Sequence, residues 1–380
     1  MSEVIRLALV AGEASGDYLG GEFARSVIEQ APMGVEIRGV AGPEMIAAGV
    51  DPIFTIDELG VMGFGDVIMA LPRLIGCFNR LAAVLEVWRP HALVTIDNQE
   101  FSLRLHERLA GMECRHIHYV APQAWAWRPW RARRLARSVD RLLTLFPFEP
   151  AFFEPHGLAC DHVGHPAVDR ACAMIPVLRG PAEPSPERLC LMPGSRTAEI
   201  RRHLPLMLEA ARSLRRKVVA LEVVLPVVPT MRNVVSSLLS GSDLDCRILD
   251  SDDRRWEIFA NSRVAVACLG TATLELALSG CPMVAIYRTD ALSAMIARYL
   301  VRTPYLSLPN ILLDMPIVPE MVQDGLDCET LQRTLDLLWF DDHARGRQIG
   351  NFARLRSIMQ PPHGQTAART AAHAVLKEIV

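Results

Sequence analysis

The chain of 380 residues is half hydrophobic, carries a formal net charge of −3 at pH 7 and contains nine cysteines, none in a C-x-x-C pair. At roughly 150 residues per domain this length predicts two or three domains. The apolar runs end before the ~20 residues that a membrane-spanning helix needs, and the first residues resemble no signal peptide. Composition therefore favours a cytoplasmic globular chain without a disulfide framework, a zinc site or a nucleic-acid partner.

The chain opens with a predicted strand, a glycine turn and a helix. Residues 4–10 are an apolar run, residues 11–17 read AGEASGD, and residues 18–28 have helical spacing. This is the opening of a doubly wound α/β sheet, whose ligands lie at the carboxyl ends of strands. The glycines do not complete the dinucleotide fingerprint, so no nicotinamide site is predicted. The polar residues of this turn are candidates for substrate binding and equally for helix capping: Glu13, Ser15 and Asp17.

After a second strand at 35–40 and a helix at 43–49, residues 59–75 differ in character. They are rich in Val, Met, Phe, Ile and Leu, include three glycines and carry few charges. A buried helix is the commoner interpretation of such a segment. An exposed apolar patch is the alternative, and it would suit a membrane surface or an acyl chain.

The next predicted strand, 92–96, leads directly to two carboxylates, Asp97 and Glu100. Residues just past the carboxyl end of a strand lie where a doubly wound sheet places its chemistry. Both carboxylates are therefore candidates for general-base catalysis. Ordinary turn chemistry is the alternative, since Asp and Asn are common in turns.

A strand at 116–120 is followed by a segment that is both aromatic and basic. Trp125, Trp127 and Trp130 are three of the six tryptophans in the chain, and a run of arginines that includes Arg128 and Arg131 surrounds and follows them. A solvated helix face is the default interpretation of such charge. The mixture of indole and guanidinium groups also suits anionic lipid headgroups or an acceptor phosphate.

Two further predicted strands, 142–145 and 161–163, complete the first half. Residues 176–187 contain four prolines and are predicted to be a linker between two halves. The second half repeats the alternation of strands and helices, so we expect a second parallel sheet and two Rossmann-like domains facing one another across a cleft. Its predicted strands are 189–192, 221–227, 246–249, 264–268 and 282–287, and its predicted helices are about 199–216, 231–239 and 254–260. Residues 331–380 are predicted to be helical.

Two turns of the second half join a strand to a helix N-terminus, where backbone amides and the helix dipole bind anions. In the first, Gly194, Ser195 and Arg196 precede Glu199, and the arginine offers a planar fork to phosphate oxygens. In the second, residues 270–273 precede Glu275, which is placed to accept hydrogen bonds from ribose hydroxyls. An ordinary strand-ending turn and a capping box are the respective alternatives.

Taken together, the motifs resemble the lipid-A-disaccharide synthase family in order over about residues 5–325. The combination is more specific than any single motif. It consists of residues 12–17 (GEASGD), 61–64 (VMGF), 124–128 (AWAWR), 164–166 (GHP), 193–196 (PGSR) with Glu199-Ile200, 270–275 (GTATLE) and 308–312 (LPNIL).

This resemblance implies an α/β fold of the GT-B type and a peripheral enzyme on the cytoplasmic face of the bacterial inner membrane. The reaction implied is transfer of 2,3-diacylglucosamine from its UDP derivative to 2,3-diacylglucosamine 1-phosphate, with inversion and without metal or cofactor. Residues 1–175 would form an acceptor and membrane-facing domain and residues 188–340 a UDP-sugar-binding domain. Residues 341–380 would return to an N-terminal domain, with exchange of C-terminal parts in a homodimer as one arrangement.

The resemblance also implies roles for individual residues. The family motif Ile-Asp-Ala-Pro-Asp-Phe is represented by residues 96–101, so Asp97 is the expected base, with Glu100 as the alternative because the loop between them differs. Leu269 stands where the family usually has a small serine. Donor-side residues would be Gly194, Ser195, Arg196, Glu199, Gly270, Thr271, Ala272, Thr273, Glu275, Asn310, Glu320 and Gln323. Acyl chains and the acceptor phosphate would contact Met62, Phe64, Trp125, Trp127, Arg128 and Arg131.

Two other classes of protein share the same sequence features. A UDP-sugar epimerase or hydrolase would isomerise the sugar or release UDP without a lipid acceptor. A non-catalytic nucleotide-sugar or lipid-binding protein is suggested by the altered loop from Asp97 to Glu100.

Overall fold

The computed structural model describes residues 4–59, 64–127, 130–178, 187–249, 252–290, 294–295, 303–361 and 364–379. Contacts divide the chain into two compact units. Unit 1 consists of Met1–Pro166 and Gln360–Val380, and unit 2 of Ala167–Met359. Among the described residues, no helix combines the length and the apolarity needed to cross a bilayer.

Unit 1 is built on a seven-stranded parallel sheet. Its strands are β1 (Ile5–Ala11), β2 (Val35–Ala41), β3 (Asp51–Thr55), β4 (Ala92–Ile96), β5 (Arg115–Tyr119), β6 (Arg141–Thr144) and β7 (Ala159–His162). They lie in the order β3-β2-β1-β4-β5-β6-β7. Every residue of β4 is buried, as expected for a central strand covered by helices on both faces.

The helices of unit 1 cover that sheet. They are α1 (Ala14–Gln30), α2 (Pro43–Ala47), α3 (Phe64–Trp88), α4 (Gln99–Arg108), α5 (Ala124–Trp127), α6 (Trp130–Ser138), α7 (Glu149–Phe153) and α16 (Ala367–Ile379). Short 3-10 turns occupy Ile56–Glu58 and Glu154–His156. The last helix, α16, packs on α1, where Arg369 pairs with Glu29 at 2.8 Å.

Unit 2 repeats the architecture with six parallel strands. These are β8 (Arg188–Met192), β9 (Glu222–Pro226), β10 (Cys246–Leu249), β11 (Val264–Cys268), β12 (Met283–Tyr287) and β13 (Glu320–Val322), in the order β10-β9-β8-β11-β12-β13. Its helices are α8 (Pro166–Leu178), α9 (Thr197–Arg215), α10 (Arg232–Leu239), α11 (Asp252–Ala260), α12 (Thr271–Leu278), α13 (Leu308–Leu313), α14 (Cys328–Phe340) and α15 (Asp342–Ile358), with 3-10 turns at Pro229–Met231 and Gln323–Gly325.

The α/β prediction with two parallel sheets is confirmed, and two short strands were not predicted. The edge strand β3 begins with Asp-Pro and is half-exposed, while β13 spans only three residues. The division between units also differs from the predicted linker, because contacts place it at Pro166 and assign α8 to unit 2. Likewise α15 belongs to unit 2, and only the segment from Gln360 onwards joins unit 1.

The apolar segment 59–75 is partly explained by α3. Leu74 and Phe78 of this helix pack against the core, whereas Leu71 and Ile75 are 49% and 51% exposed. The described part of the segment is therefore a helix with apolar residues on both its inner and its outer face. Met62 and the side chain of Phe64 lie outside the described residues.

Candidate functional site

A pocket of about 310 Å³ opens in unit 2 at the carboxyl ends of β8 and β11. The two turns singled out in the sequence both line it, although about seventy-five residues separate them along the chain. Parallel neighbouring strands end at the same edge of a sheet, which explains why the turns meet. The predicted residues that line the pocket are Gly194, Ser195, Arg196, Glu199, Gly270, Thr271, Ala272 and Glu275.

The carboxylate of Glu199 accepts hydrogen bonds from the backbone of the first turn. The amides of Ser195 and Arg196 donate to Glu199 Oε2 at 3.1 and 3.3 Å, and Arg196 Nη1 donates to Oε1 at 3.0 Å. Gly194 has φ +116°, and a Cβ atom there would lie 2.6 Å from Glu199 Oε2. The predicted amide cradle at Ser195 and Arg196 is therefore filled by a side chain of the protein, and the glycine makes room for that carboxylate.

In the second turn, the residues that begin α12 line the pocket. Within the described ranges, no acceptor for the amides of Thr271 and Ala272, the first two residues of α12, is present. The partial positive charge of the helix N-terminus adds to these amides. The side chain of Arg196, which is 79% exposed, lines the same pocket. Thr273 differs from its prediction, because it is fully buried and its hydroxyl donates to the Gly270 carbonyl at 2.7 Å.

An ion pair that the sequence analysis missed lies in the same pocket. Arg255 Nη2 is 3.1 Å from Glu275 Oε1, and both side chains are largely buried. Burial strengthens such a pair, because water screens it less. The sequence signal was weak: Arg255 stands in a short helix, α11, that carries several other charges.

Three residues assigned to the donor side are engaged in local structure instead. Asn310 is 1% exposed, and its amide nitrogen donates to Val318 O and to Glu320 Oε1, while its oxygen accepts from the amides of Ile317 and Val318. These four bonds use the whole capacity of an asparagine amide. Glu320 also accepts from the amides of Leu306 and Ser307.

Gln323, the third of these residues, has φ +55°, and its amide hydrogen-bonds to the backbone of Thr289. None of the side chains of Asn310, Glu320 and Gln323 lines the pocket described above. Their side chains stabilise the segment from 303 to 323.

In unit 1, Asp97 stands at the end of β4 in an unusual backbone conformation. Asp97 and Asn98 have φ values of +51° and +37°, in the left-handed region that few non-glycine residues adopt. Burial raises the pKa of Asp97, and a hydrogen bond from the Asn98 backbone opposes that shift. Strain of this kind concentrates at functional sites. Gly12, at the end of β1, permits the conformation, since a Cβ atom there would be 2.1 Å from Asn98 Nδ2.

Glu100, the alternative base, has a different environment. Its carboxylate is 53% exposed and lies 3.2 Å from Arg104 and 3.4 Å from Arg134. This carboxylate takes part in ion pairs on the surface, whereas Asp97 is half-buried at a strained strand end. The geometry therefore favours Asp97 over Glu100 as a general base.

The turn after β1 is divided between exposed and structural residues. Glu13 and Ser15 are exposed. Asp17 is 3% exposed, and its carboxylate accepts from the amides of Gly42, Glu44 and Met45 at 2.8, 3.0 and 3.0 Å. Asp17 thus caps the N-terminus of α2, which corresponds to the helix-capping alternative and not to contact with substrate.

The aromatic and basic segment is anchored through Trp125. Its indole nitrogen donates to Glu149 Oε1 at 3.3 Å, and its ring packs edge-on against Phe148. Burial raises the pKa of Glu149 to about 7. Further along, Trp130 is 59% exposed with the Arg131 guanidinium 5.7 Å from its ring. Arg128 and the side chain of Trp127 lie outside the described residues.

Beneath the Asp97 loop lies a buried histidine network that the sequence did not reveal. Thr95 Oγ1 is 2.9 Å from His106 Nε2 and 2.8 Å from His118 Nδ1, and His106 Nδ1 is 2.9 Å from His116 Nδ1. Burial lowers the pKa of all three histidines, that of His118 to about 4. The three rings are therefore neutral at pH 7.

This network predicts a loss of stability in mild acid. In the unfolded chain these histidines titrate near pH 6.5, whereas in the folded protein their pKa values are lower. Between about pH 6.5 and pH 4 the unfolded state therefore binds more protons than the folded state. Stability is fully present above about pH 6.5 and falls as the pH drops toward 4, for His118 by on the order of 3 kcal/mol. Glu149 acts oppositely, its contribution being lost as the pH rises toward 7. Because three histidines oppose one glutamate, thermal unfolding followed by circular dichroism should show a lower melting temperature at pH 5 than at pH 7.

The variant His118→Asn separates the contribution of His118 to the pH dependence from that of Glu149. Asparagine keeps a polar atom near the position of Nδ1, beside Thr95, but does not titrate. The melting temperature of this variant should therefore depend less on pH between 7 and 5 than that of the wild-type protein. Equal pH dependence in both proteins would contradict the assignment to His118.

Comparison with known proteins gives a family match over most of the chain. A family model described as lipid-A-disaccharide synthetase matches residues 7–362. Proteins named lipid-A-disaccharide synthase from Rhodospirillum centenum and Pseudomonas aeruginosa are 34% and 36% identical, over 98% and 99% of this chain and 95% and 99% of their own length.

Solved structures with a similar fold are more distant in sequence. The UDP-GlcNAc 2-epimerase of Neisseria meningitidis bound to UDP-GlcNAc has a TM-score of 0.67 at 10% identity, covering 98% of this chain and all of that one. MurG of Acinetobacter baumannii has a TM-score of 0.60 at 12% identity and covers 99% of both chains. At such identities the likeness shows the fold alone.

Proposed function

The chain belongs to the lipid-A-disaccharide synthase family and is a glycosyltransferase of lipid A biosynthesis, and we propose that it transfers 2,3-diacylglucosamine from its UDP derivative to 2,3-diacylglucosamine 1-phosphate. The observation that supports this reaction most directly is the pocket in unit 2, where two turns combine helix amides, a guanidinium and a carboxylate. These are the groups that a nucleoside diphosphate requires. The transfer inverts the anomeric centre.

Within the proposed donor site, the diphosphate is bound by Arg196 and by the amides of Thr271 and Ala272. Glu275, oriented by Arg255 at 3.1 Å, accepts from the ribose hydroxyls. When the bond between the anomeric carbon and UDP breaks, negative charge grows on the departing diphosphate. Preorganised donors aimed at such charge are usually the largest contribution to catalysis. Glu199 takes part indirectly, by holding Arg196.

Asp97 is the proposed general base in unit 1. It accepts the proton of the acceptor hydroxyl as the hydroxyl oxygen bonds to the anomeric carbon and UDP leaves with the electron pair. A carboxylate whose pKa is raised by burial is a stronger base than an exposed one, and general-base efficiency improves as the pKa approaches the working pH.

The acyl chains and the phosphate of the acceptor are proposed to contact the exposed parts of α3 and α6. Leu71 and Ile75 lie one turn apart on α3, and Trp130 and Arg131 begin α6. Apolar, indole and guanidinium groups together suit the interface of an anionic membrane. The peripheral location on the inner membrane, and a homodimer with exchanged C-terminal parts, belong to this proposal.

Reversal of one charge tests the membrane part. A basic residue near an anionic surface contributes about 1 kcal/mol to binding, and reversing its charge changes binding by about twice that. Arg131→Glu should therefore weaken association with vesicles containing phosphatidylglycerol by tenfold or more. Flotation of the protein with such vesicles measures the effect. Arg347→Glu, an exposed arginine of α15 in unit 2, is the matched control and should float like the wild-type protein. Undiminished flotation of Arg131→Glu would contradict the proposed surface.

The reaction itself is tested by following UDP release from UDP-2,3-diacylglucosamine with and without 2,3-diacylglucosamine 1-phosphate. Acceptor-dependent release with a disaccharide product, detected by mass spectrometry, is expected. Release that ignores the acceptor would indicate a hydrolase or an epimerase. Donor binding without turnover would indicate a binding protein.

A further inference from the structure

His203 connects two strand ends beneath the donor pocket. It stands on α9, one turn after Glu199, and is fully buried. Its Nδ1 atom lies 3.1 Å from the carbonyl oxygen of Pro193, and its Nε2 atom lies 2.9 Å from the amide nitrogen of Arg288. Both ring nitrogens are thus used by backbone groups.

These partners determine the protonation state of the ring. A carbonyl only accepts and an amide N–H only donates, so Nδ1 carries the hydrogen and Nε2 accepts. A charged imidazolium would turn an N–H toward the amide of Arg288. Burial also lowers the pKa of His203, which keeps the ring neutral at pH 7.

Both hydrogen bonds of the His203 ring go to backbone groups that border the pocket-forming strand β11. Pro193 follows β8 and Arg288 follows β12, and these two strands flank β11, which leads into Gly270 and α12. One side chain therefore links the loops on either side of the α12 N-terminus. The ring of Tyr287 packs against it, with centroids 5.6 Å apart.

Glu199 and His203 hold different backbone groups of the same loop. Residues four apart on a helix share a face, so both side chains reach the Pro193–Arg196 turn. Glu199 accepts from the amides of Ser195 and Arg196, while His203 donates to the carbonyl of Pro193. Pro193 is buried, and without the histidine its carbonyl would lose a hydrogen bond that water cannot readily replace. The turn would then lose one of the two side chains that hold it.

We propose that His203 is a positioning residue for the donor diphosphate: its Nδ1–H holds the Pro193 carbonyl, and with it the turn that presents Arg196. This inference rests on the proposed function of the pocket as a UDP-sugar site. It assigns His203 no contact with the substrate. Its effect should appear in donor affinity and not in acceptor affinity.

Three variants separate the two hydrogen bonds. His203→Asn places an amide N–H near the position of Nδ1 and keeps the hydrogen bond to Pro193. His203→Gln places a carbonyl oxygen near the position of Nε2 and keeps the hydrogen bond from Arg288. His203→Leu removes both hydrogen bonds. One lost hydrogen bond of about 1.4 kcal/mol corresponds to a tenfold weaker affinity. Isothermal titration with UDP should therefore give about a tenfold higher Kd for the Leu and Gln variants, and a Kd closer to that of the wild-type protein for the Asn variant.

Steady-state kinetics provide the second readout. The KM for the UDP-sugar should rise in the Leu and Gln variants while the KM for the lipid acceptor stays unchanged. His343→Asn, on the exposed side of α15 in the same unit, is the control and should bind UDP normally. Circular dichroism shows whether each variant folds, and if His203→Leu does not, the comparison of Asn with Gln still decides.

The outcomes are distinguishable. Wild-type UDP affinity in His203→Leu, or an equal weakening by Asn and Gln, would overturn the role of His203 while leaving the donor site intact. A wild-type protein that binds no UDP would overturn the proposed function, and this inference with it. Rescue by Asn together with a rise confined to donor KM supports the assignment.

Discussion

Asp97→Asn is expected to lower kcat by about 10²- to 10⁴-fold, the usual contribution of a general base, while UDP binding in unit 2 stays unchanged. The substitution removes the proton acceptor but keeps the shape of the side chain. It also suits the backbone, because asparagine is among the few residues that tolerate a φ of +51°. A loss of rate in this variant therefore reports on chemistry and not on a distorted loop.

Glu100→Gln is the matched control for that experiment. It removes one charge from the same loop, at a carboxylate that is 53% exposed and paired with Arg104 and Arg134. Its kcat should stay close to that of the wild-type enzyme. If Glu100→Gln were the inactive variant and Asp97→Asn the active one, the assignment of the base would be reversed.

The pH profile gives an independent check on Asp97. A base works only when deprotonated, so kcat/KM should fall on the acid side as the pH drops through the pKa of Asp97. Burial raises that pKa above the ordinary value of 3.8, so the acid limb should lie at a higher pH than an exposed aspartate would give. Asp97→Asn should lose this limb.

Arg196→Ala is expected to lower kcat by about 10²- to 10³-fold, equivalent to about 3 to 4 kcal/mol for one lost donor at a developing charge. The departing UDP carries more negative charge than the bound UDP-sugar. Affinity for UDP should therefore fall more than affinity for the intact donor, which titration calorimetry with each ligand would show.

Two variants sharpen this prediction. Arg196→Lys keeps the charge but loses the planar fork, and a partial loss of activity is expected because lysine cannot form a bidentate contact. Arg201→Ala removes an exposed arginine of α9 that does not line the pocket and should be nearly neutral. Equal activity of Arg196→Ala and Arg201→Ala would exclude Arg196 from the site of charge development.

Local patterns predicted most of the scaffold. Apolar runs ending in glycine turns mark β1, β8 and β11, because strands covered on both faces need continuous hydrophobic residues. The pocket in unit 2 was also predictable, since parallel strands place their following turns at one edge. The short edge strand β3 was missed, since a segment that starts with Asp-Pro and is half-exposed has no such pattern.

The roles of the polar side chains were harder to predict. Asp17, Glu199 and Asn310 all have the chemistry to bind a substrate, yet each accepts backbone amides of the protein in the structure. For Asp17 the partner is 25 residues away, beyond the reach of any local pattern. A carboxylate at a strand end can serve a ligand or a neighbouring helix, and only its partners distinguish the two.

The α/β class, the family resemblance and the two turns that line the pocket in unit 2 could be read from the sequence, because hydrophobic period and glycine position are local properties of the chain. The different surroundings of Asp97 and Glu100, burial for one and two neighbouring guanidinium groups for the other, are visible only in three dimensions. The tertiary structure alone revealed His203, whose hydrogen bonds join the ends of β8 and β12. Burial and hydrogen bonding between distant segments arise from packing, and no single stretch of sequence encodes them.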